Sequence, residues 1–208
     1  MRIKLLVMCV AIAACLANSS LAGFSFKASS GGAFSSSFVL PANGGSVSLF
    51  LVEDITGAPA FNAGAASYQL VRTAVVGSPT VGVTTGAPWP LSGVDTALAP
   101  LTFTVQNSTF GTPITSSLFN GLQSLQVGVV NFTGPGTSAT YSFRDIDGGS
   151  QVLVSNATGS IQAIDAAVFA ASTPFTITAV PEPSSMALLG LVGVGAAAVR
   201  RFRKKNKA

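Results

Sequence analysis

The only two cysteines of this 208-residue chain, Cys9 and Cys15, fall within its first sixteen residues, and histidine is absent altogether. Everything downstream therefore folds without a disulfide framework, and its stability has to come from burial. The same absence removes thiolate nucleophiles, Cys/His zinc sites and Ser-His-Asp triads from that region. The roughly 157 residues from Gly23 to Ala179 are enough for burial to suffice, because a domain near 150 residues buries about 70% of its unfolded surface.

The formal charge of +4 suggests a polyanion binder until the charges are placed. Arg2 and Lys4 lie at the start of the chain, and Arg200, Arg201, Arg203, Lys204, Lys205 and Lys207 crowd its last nine positions. Between them only Lys27, Arg72 and Arg144 face Glu53, Asp54, Asp95, Asp145, Asp147 and Asp165, which leaves the middle mildly acidic. No basic patch is available for phosphate neutralisation, so nucleic-acid binding is not expected.

Each basic end borders an apolar run. Met1 to Lys4, the apolar Leu5 to Leu16 and the small residues Ala17 to Ala22 have the three regions of a signal peptide, and twelve apolar residues are too few to span a bilayer comfortably. Ser20 and Ala22 occupy the −3 and −1 places of a cleavage site, predicting a cut between Ala22 and Gly23. A second route is written in the same stretch, since Ile12-Ala13-Ala14-Cys15 fits a lipobox with Cys15 as the lipidated residue. Residues 1–22 are thus read as a signal peptide and 23–179 as one ectodomain.

The ectodomain pattern predicts an all-β, antiparallel two-sheet sandwich such as a jelly roll. Candidate strands are Phe34 to Leu40, Val47 to Glu53, Ser67 to Val76, Leu101 to Val105, Leu125 to Phe132, Thr140 to Phe143, Val152 to Val154 and Phe175 to Val180. Val47, Leu49 and Leu51 recur with period two, as do Tyr141 and Phe143, which places one face of each strand on a core. Asn43-Gly44-Gly45, Gly77-Ser78-Pro79 and Gly134-Pro135-Gly136 supply the turns between them. Ala163 to Ala171 is predicted as a short helix, and the Pro/Gly-rich interval from Gly77 to Pro100, which holds Trp89, as the least regular part.

Chemical candidates are few. Asp145-Ile146-Asp147-Gly148 begins like a calcium loop but lacks the further acidic ligands, so a β-turn is the preferred reading and no metal is expected. Glu53-Asp54 could serve a glycosidase carboxylate pair if a partner stood at the right separation. Trp89 or Phe61 exposed beside that pair would mark sugar recognition. Asn107-Ser108-Thr109, Asn131-Phe132-Thr133 and Asn156-Ala157-Thr158 fit the glycosylation pattern without deciding anything by themselves.

From Val180 onward three unlike elements follow in order. Pro181-Glu182-Pro183 removes two backbone donors and fixes two φ angles, giving an extended strip that an enzyme can read. Ser184 and Ser185 lead into the apolar Met186 to Val199, whose fourteen residues would span about 21 Å as a single transmembrane helix. Arg200, Arg201, Arg203, Lys204 and Lys205 then flank the span and, by the positive-inside rule, stay cytoplasmic while the ectodomain lies outside.

This segment, 180–208, resembles the PEP-CTERM sorting signal. The resemblance implies recognition of Pro181, Glu182 and Pro183 by an exosortase, an integral membrane protease. It implies transient anchoring in the inner membrane, cleavage near the motif, and release to the cell surface or an exopolysaccharide-rich extracellular matrix. Val47 to Glu53, Ser67 to Thr73 and Leu125 to Phe132 also resemble cohesin-like sandwiches, which implies contact with partner proteins. The expectation is therefore an exported surface or matrix protein with a structural or adhesive domain, no catalytic residues and no cofactor, and with exopolysaccharide or other matrix proteins as partners. The alternative is a carbohydrate-binding module or glycan-active enzyme at the cell surface.

Overall fold

The computed structural model describes residues 23–109, 111–146, 152–155 and 161–180. In chain order the strands are β1 (Phe24–Ser29), β2 (Ser37–Pro41), β3 (Gly45–Glu53), β4 (Asn62–Ala66), β5 (Tyr68–Val76), β6 (Thr80–Thr85), β7 (Leu91–Asp95) and β8 (Thr102–Ser108). They continue with β9 (Ile114–Thr115), β10 (Ser117–Phe119), β11 (Leu122–Thr133), β12 (Thr137–Arg144), β13 (Val152–Ser155), β14 (Ile161–Ala163) and β15 (Phe175–Val180), with helix α1 (Asp165–Ala171) before the last.

They form two sheets. The smaller runs β1-β3-β11-β10, with β6 also paired to β11, and the larger runs β14-β13-β4-β8-β5-β12-β15-β2, with β7 on β8 and β9 on β4. The expected all-β sandwich is what the chain builds. Alternation makes the core: in β3 Val47, Leu49 and Leu51 are inaccessible to solvent while Ser48 and Phe50 face the other way. The sheets meet through aromatics, for Phe26 of β1 lies 5.0 Å from Tyr68 and 5.1 Å from Phe143, and Phe143 lies 5.7 Å from Phe175.

Several expectations need correction. The sandwich is not purely antiparallel, because β2 pairs with β15 in parallel. Residues 30–36 fold back on β1 through a single antiparallel bridge between Ala28 and Ser35 and then carry the chain to the other sheet, so β2 arrives running in the direction of β15. Phe34 accordingly sits on that crossing, and the strand expected from it starts only at Ser37. The interval from Gly77 to Pro100 is not irregular but holds β6 and β7. Pro79, Pro88, Pro90 and Pro100 all lie outside those strands and bound them, which is where proline is tolerated.

The centre of the smaller sheet contains a bulge. Gln126 of β11 pairs with Phe50 and Gly128 with Leu49, so Val127 is an extra residue. Its effect is a change of phase. Before the bulge the buried side chains are Leu125 and Val127, and after it they are Val130 and Phe132. An unbulged strand could bury only one of these sets, because a one-residue slip turns every side chain to the opposite face.

The bulge carbonyls lose their ladder partners and are met by side chains instead. Trp89 Nε1 donates to Gln126 O at 2.9 Å, Asn107 Nδ2 donates to Val127 O at 2.7 Å, and the Tyr68 hydroxyl donates to the same oxygen at 3.4 Å. Asn107 Nδ2 also donates to Ala66 O at 3.1 Å, so its two acceptors set the orientation of the amide. Gly128 is required here, since a Cβ at that position would stand 2.4 Å from the Tyr68 hydroxyl.

The free edge of β1 is covered by α1. Ser172, just past the helix, accepts from Phe26 N at 2.7 Å and donates to Val168 O at 2.7 Å, while Phe169 packs 5.4 Å from the Phe26 ring. Helix formation begins at Asp165, two residues after the predicted start, because Ile161–Ala163 pairs with β13 as β14.

These contacts predict a ranking of three substitutions in urea unfolding. Asn107→Leu strips donors from two buried carbonyls and costs about 2–4 kcal/mol. Tyr68→Phe leaves Val127 O its bond from Asn107 and costs about 1 kcal/mol. The buried Tyr141 hydroxyl has no hydrogen-bond partner among the described residues, and Tyr141→Phe is expected to fall within about 1 kcal/mol of the parent or to exceed it.

Candidate functional site

Two places compete for a functional role: the corner around Glu53 and Asp54, and the end of the sandwich from which β15 leads to the sorting segment. The corner is built by β1 and β3, whose register sets Phe24 opposite Glu53. Gly23, the residue after the predicted signal cleavage, accepts the Asp54 amide at 2.5 Å, so the first described residue already belongs to the fold. Asp54 is held by Ser25 Oγ at 2.6 Å and by Lys27 Nζ at 2.5 Å. With both side chains about a third exposed, that ion pair contributes no more than ~1 kcal/mol.

Glu53 points inward and is 9% exposed. Burial raises its carboxyl above the ordinary value, because the charged form loses water there. The two aromatics that would have marked sugar recognition are buried, Phe61 at 1% and Trp89 at 6%. Phe61 packs edge-on to Phe24 at 5.0 Å, and Trp89 is committed to the bulge. The arrangement expected for a sugar platform is therefore absent at Glu53-Asp54.

An aromatic group that the sequence reading missed lies on the outer face of the smaller sheet. Phe50 and Phe119 stack at 4.8 Å, and Phe34 stands edge-on to both at 5.7 and 5.3 Å. Phe50, like Val52, is an apolar residue on the outward phase of β3, which is the signal present in the sequence. Lys27 Nζ lies 5.8 Å from the Phe34 ring centre. The Asn120 amide donates to Gly32 O at 2.6 Å, so this cluster fastens residues 30–36 to the sheet. Beside it is a cleft of about 210 Å³ lined by Lys27, Phe34, Ser35, Ser36, Thr173 and Phe175.

Asn107, first residue of one glycosylation pattern, is fully buried and its amide is committed to two carbonyls, so the folded chain cannot present it. Asn131 is exposed on β11, and Asn156 lies outside the described residues. Asp145 follows β12, while Asp147 and Gly148 are likewise outside. Among the described residues no group of three or more His, Cys, Asp or Glu side chains could hold a metal.

Strand β15 is paired on both sides to its end, with Ala179 opposite Thr137 and Val180 opposite Pro41. The predicted sorting residues Pro181, Glu182 and Pro183, the flanking Arg200, Arg201, Arg203, Lys204 and Lys205, and the apolar run 186–199 lie outside the described residues, as does Ala22. Among the described residues no helix is long and apolar enough to cross a membrane.

The raised carboxyl of Glu53 makes a signed prediction. The unfolded chain releases this proton first as pH rises, so the group lowers stability progressively above the unfolded carboxylate range and has no effect below it. Glu53→Gln is expected to raise the thermal midpoint at pH 7 and to leave it unchanged near pH 3 in paired melting curves.

Residues 179–204 match the family model described as the PEP-CTERM protein-sorting motif. No curated protein matches the chain in sequence. Among solved structures, a type III cohesin module from the cell-surface anchoring scaffoldin of Ruminococcus flavefaciens is 13% identical, covering 78% of this chain and 91% of that one, with a TM-score of 0.47. The sixth cohesin of scaffoldin B from Acetivibrio cellulolyticus is 12% identical over 76% of this chain and 99% of that one, with a TM-score of 0.43. A cohesin module of a Clostridium perfringens family 33 glycoside hydrolase is 9% identical over 77% and 98%, with a TM-score of 0.42. The chain thus carries a PEP-CTERM protein-sorting motif directly behind a β-sandwich whose structural neighbours are cohesin modules.

Proposed function

We propose that this is an exported bacterial surface or extracellular-matrix protein, delivered through its C-terminal sorting signal, whose sandwich has a structural or adhesive role. The observation that carries the reading is the motif match over 179–204, placed where the last strand finishes. In this reading residues 1–22 direct export and Ala22–Gly23 is the signal cleavage point. The apolar run 186–199 holds the chain in the inner membrane, with the basic cluster on the cytoplasmic side.

Pro181, Glu182 and Pro183 present the extended strip to an exosortase, which frees the ectodomain for the surface or for a matrix containing exopolysaccharide and other proteins. A structural or adhesive role is supported by how the domain spends its aromatic residues. Phe26, Phe61, Tyr68, Phe103, Tyr141 and Phe175 are almost wholly inaccessible, filling a core that must hold an exported domain without a disulfide.

Mass spectrometry of the protein from its own host tests the sorting reading. The parent chain is expected to be recovered from surface material without the Arg/Lys cluster. A Pro181→Ala, Glu182→Ala, Pro183→Ala variant should keep the cluster and stay in the membrane fraction. Surface-exposed parent protein with an intact basic terminus would overturn the reading.

A further inference from the structure

The end of the sandwich from which β15 emerges differs in chemistry from the opposite end. Three turns gather there: Pro41 to Gly44 between β2 and β3, Gly77 to Pro79 between β5 and β6, and Gly134 to Gly136 between β11 and β12. Their closeness is direct. Gly136 N donates to Ala179 O at 2.9 Å, a Cβ on Gly44 would stand 2.3 Å from Thr133, and one on Gly134 would stand 3.2 Å from Pro79 Cα.

The segments 37–46, 74–81, 130–141 and 175–180 that make this pole contain no Asp, Glu, Lys or Arg. They expose aliphatic side chains instead, with Val39 at 68%, Val76 at 63% and Val180 at 40%. Register sets Val76 opposite Ser138, Ser138 opposite Thr178 and Thr178 opposite Val39, so the two valines end a single row that crosses β12 and the exit strand. The opposite pole carries the charge, since β3 finishes there in Glu53 and Asp54 and β12 in Arg144 and Asp145.

Chain length makes this polarity matter. Val180 is hydrogen-bonded into the sheet, and only five residues, 181–185, separate it from the apolar run that begins at Met186. Even fully extended, the six steps from Val180 to Met186 reach at most about 22 Å. The headgroup layer takes up roughly 5–8 Å of that distance, being half the difference between the thickness of a whole bilayer and that of its hydrocarbon core. A chain anchored by that run therefore has this pole at the membrane surface. Contact with headgroups strips water from whatever it covers, which costs a carboxylate far more than an uncharged, aliphatic side chain.

We propose that the uncharged pole formed by the turns at 41–44, 77–79 and 134–136, with Val39, Val76 and Val180, is a membrane-contact surface that rests on lipid headgroups while the tail is anchored. The proposal rests on the anchoring role given to residues 186–199, and its test separates the two. The cysteine-free ectodomain allows a single label: Asn43→Cys at the uncharged pole or Thr56→Cys at the opposite one, both exposed, in the chain from Gly23 to Ala208, from which the predicted signal segment has been removed.

The chain is reconstituted into vesicles of phosphatidylethanolamine and phosphatidylglycerol containing a headgroup-quencher lipid, with no other protein present. Quenching of the label at position 43 is expected to be severalfold stronger than at position 56. A flexible Gly/Ser spacer of about twenty residues after Val180, adding an r.m.s. reach of about 25 Å, should bring both to the same low level. Equal quenching at the two positions in vesicle-bound parent chain overturns the proposal and leaves the anchor standing. Failure of the chain to float with the vesicles overturns the anchor and the proposal together. Contact that appears only when the processing enzyme is co-reconstituted overturns the lipid assignment in favour of a protein surface.

Discussion

Two backbone oxygens in the middle of β11, those of Gln126 and Val127, determine how the two sheets can be joined. They are exposed by the one-residue bulge, and the bulge exists because the buried side chains of β11 are out of phase on its two sides, Leu125 and Val127 against Val130 and Phe132. The donors that satisfy them come from outside that sheet. Tyr68 stands on β5 and Asn107 on β8, both in the larger sheet, and Trp89 in the connection between β6 and β7. The hydrogen bonds that repair the bulge are therefore also bonds across the sandwich. Their value lies in the cost of losing them, since a buried carbonyl without a donor forfeits its hydration outright.

The same economy explains the absence of an aromatic recognition surface at the carboxylate corner. A domain of this length with no disulfide has only packing to oppose its conformational entropy, and the large rings are consumed in that packing. Phe26 alone contacts Tyr68, Phe143 and Phe169, so it joins both sheets and the helix. The half-buried trio Phe34, Phe50 and Phe119 pins the crossing segment to the outer face of the smaller sheet. What is left for the surface is hydroxyls, small residues, scattered aliphatic side chains such as Val39, Val76 and Leu98, and a few charges, and the charges are distributed unevenly between the two poles.

Much of the architecture was legible in advance where the period-two pattern was long and turn-bounded, as in Val47 to Glu53 and Phe175 to Val180. Phe24, Phe26 and Ala28 alternate just as clearly with Ser25, Lys27 and Ser29, but β1 directly follows the signal segment, whose apolar and small residues mask where a strand begins. Asn62–Ala66 carries only alanine and glycine beyond its first residue, and strand propensity says nothing useful about such a run until its neighbours are known. The phase change in Leu125 to Phe132 was present in the letters, but a shift of one residue acquires meaning only against a partner strand. The sorting motif was readable because it depends on local order along the chain and on no tertiary contact.

The sequence by itself determined the class of the fold, the segregation of charge to the two ends of the chain and the sorting motif. Each of these follows from residue type and spacing along one dimension. Only the tertiary structure decided that Trp89, Phe61 and Asn107 are internal, that β2 lies parallel to β15, and that three uncharged turns distant in sequence surround the strand leading to the motif. The physical reason is the same in each case. Whether a side chain meets water, a carbonyl or another ring depends on strands far away in sequence, and no local pattern specifies which strands those are.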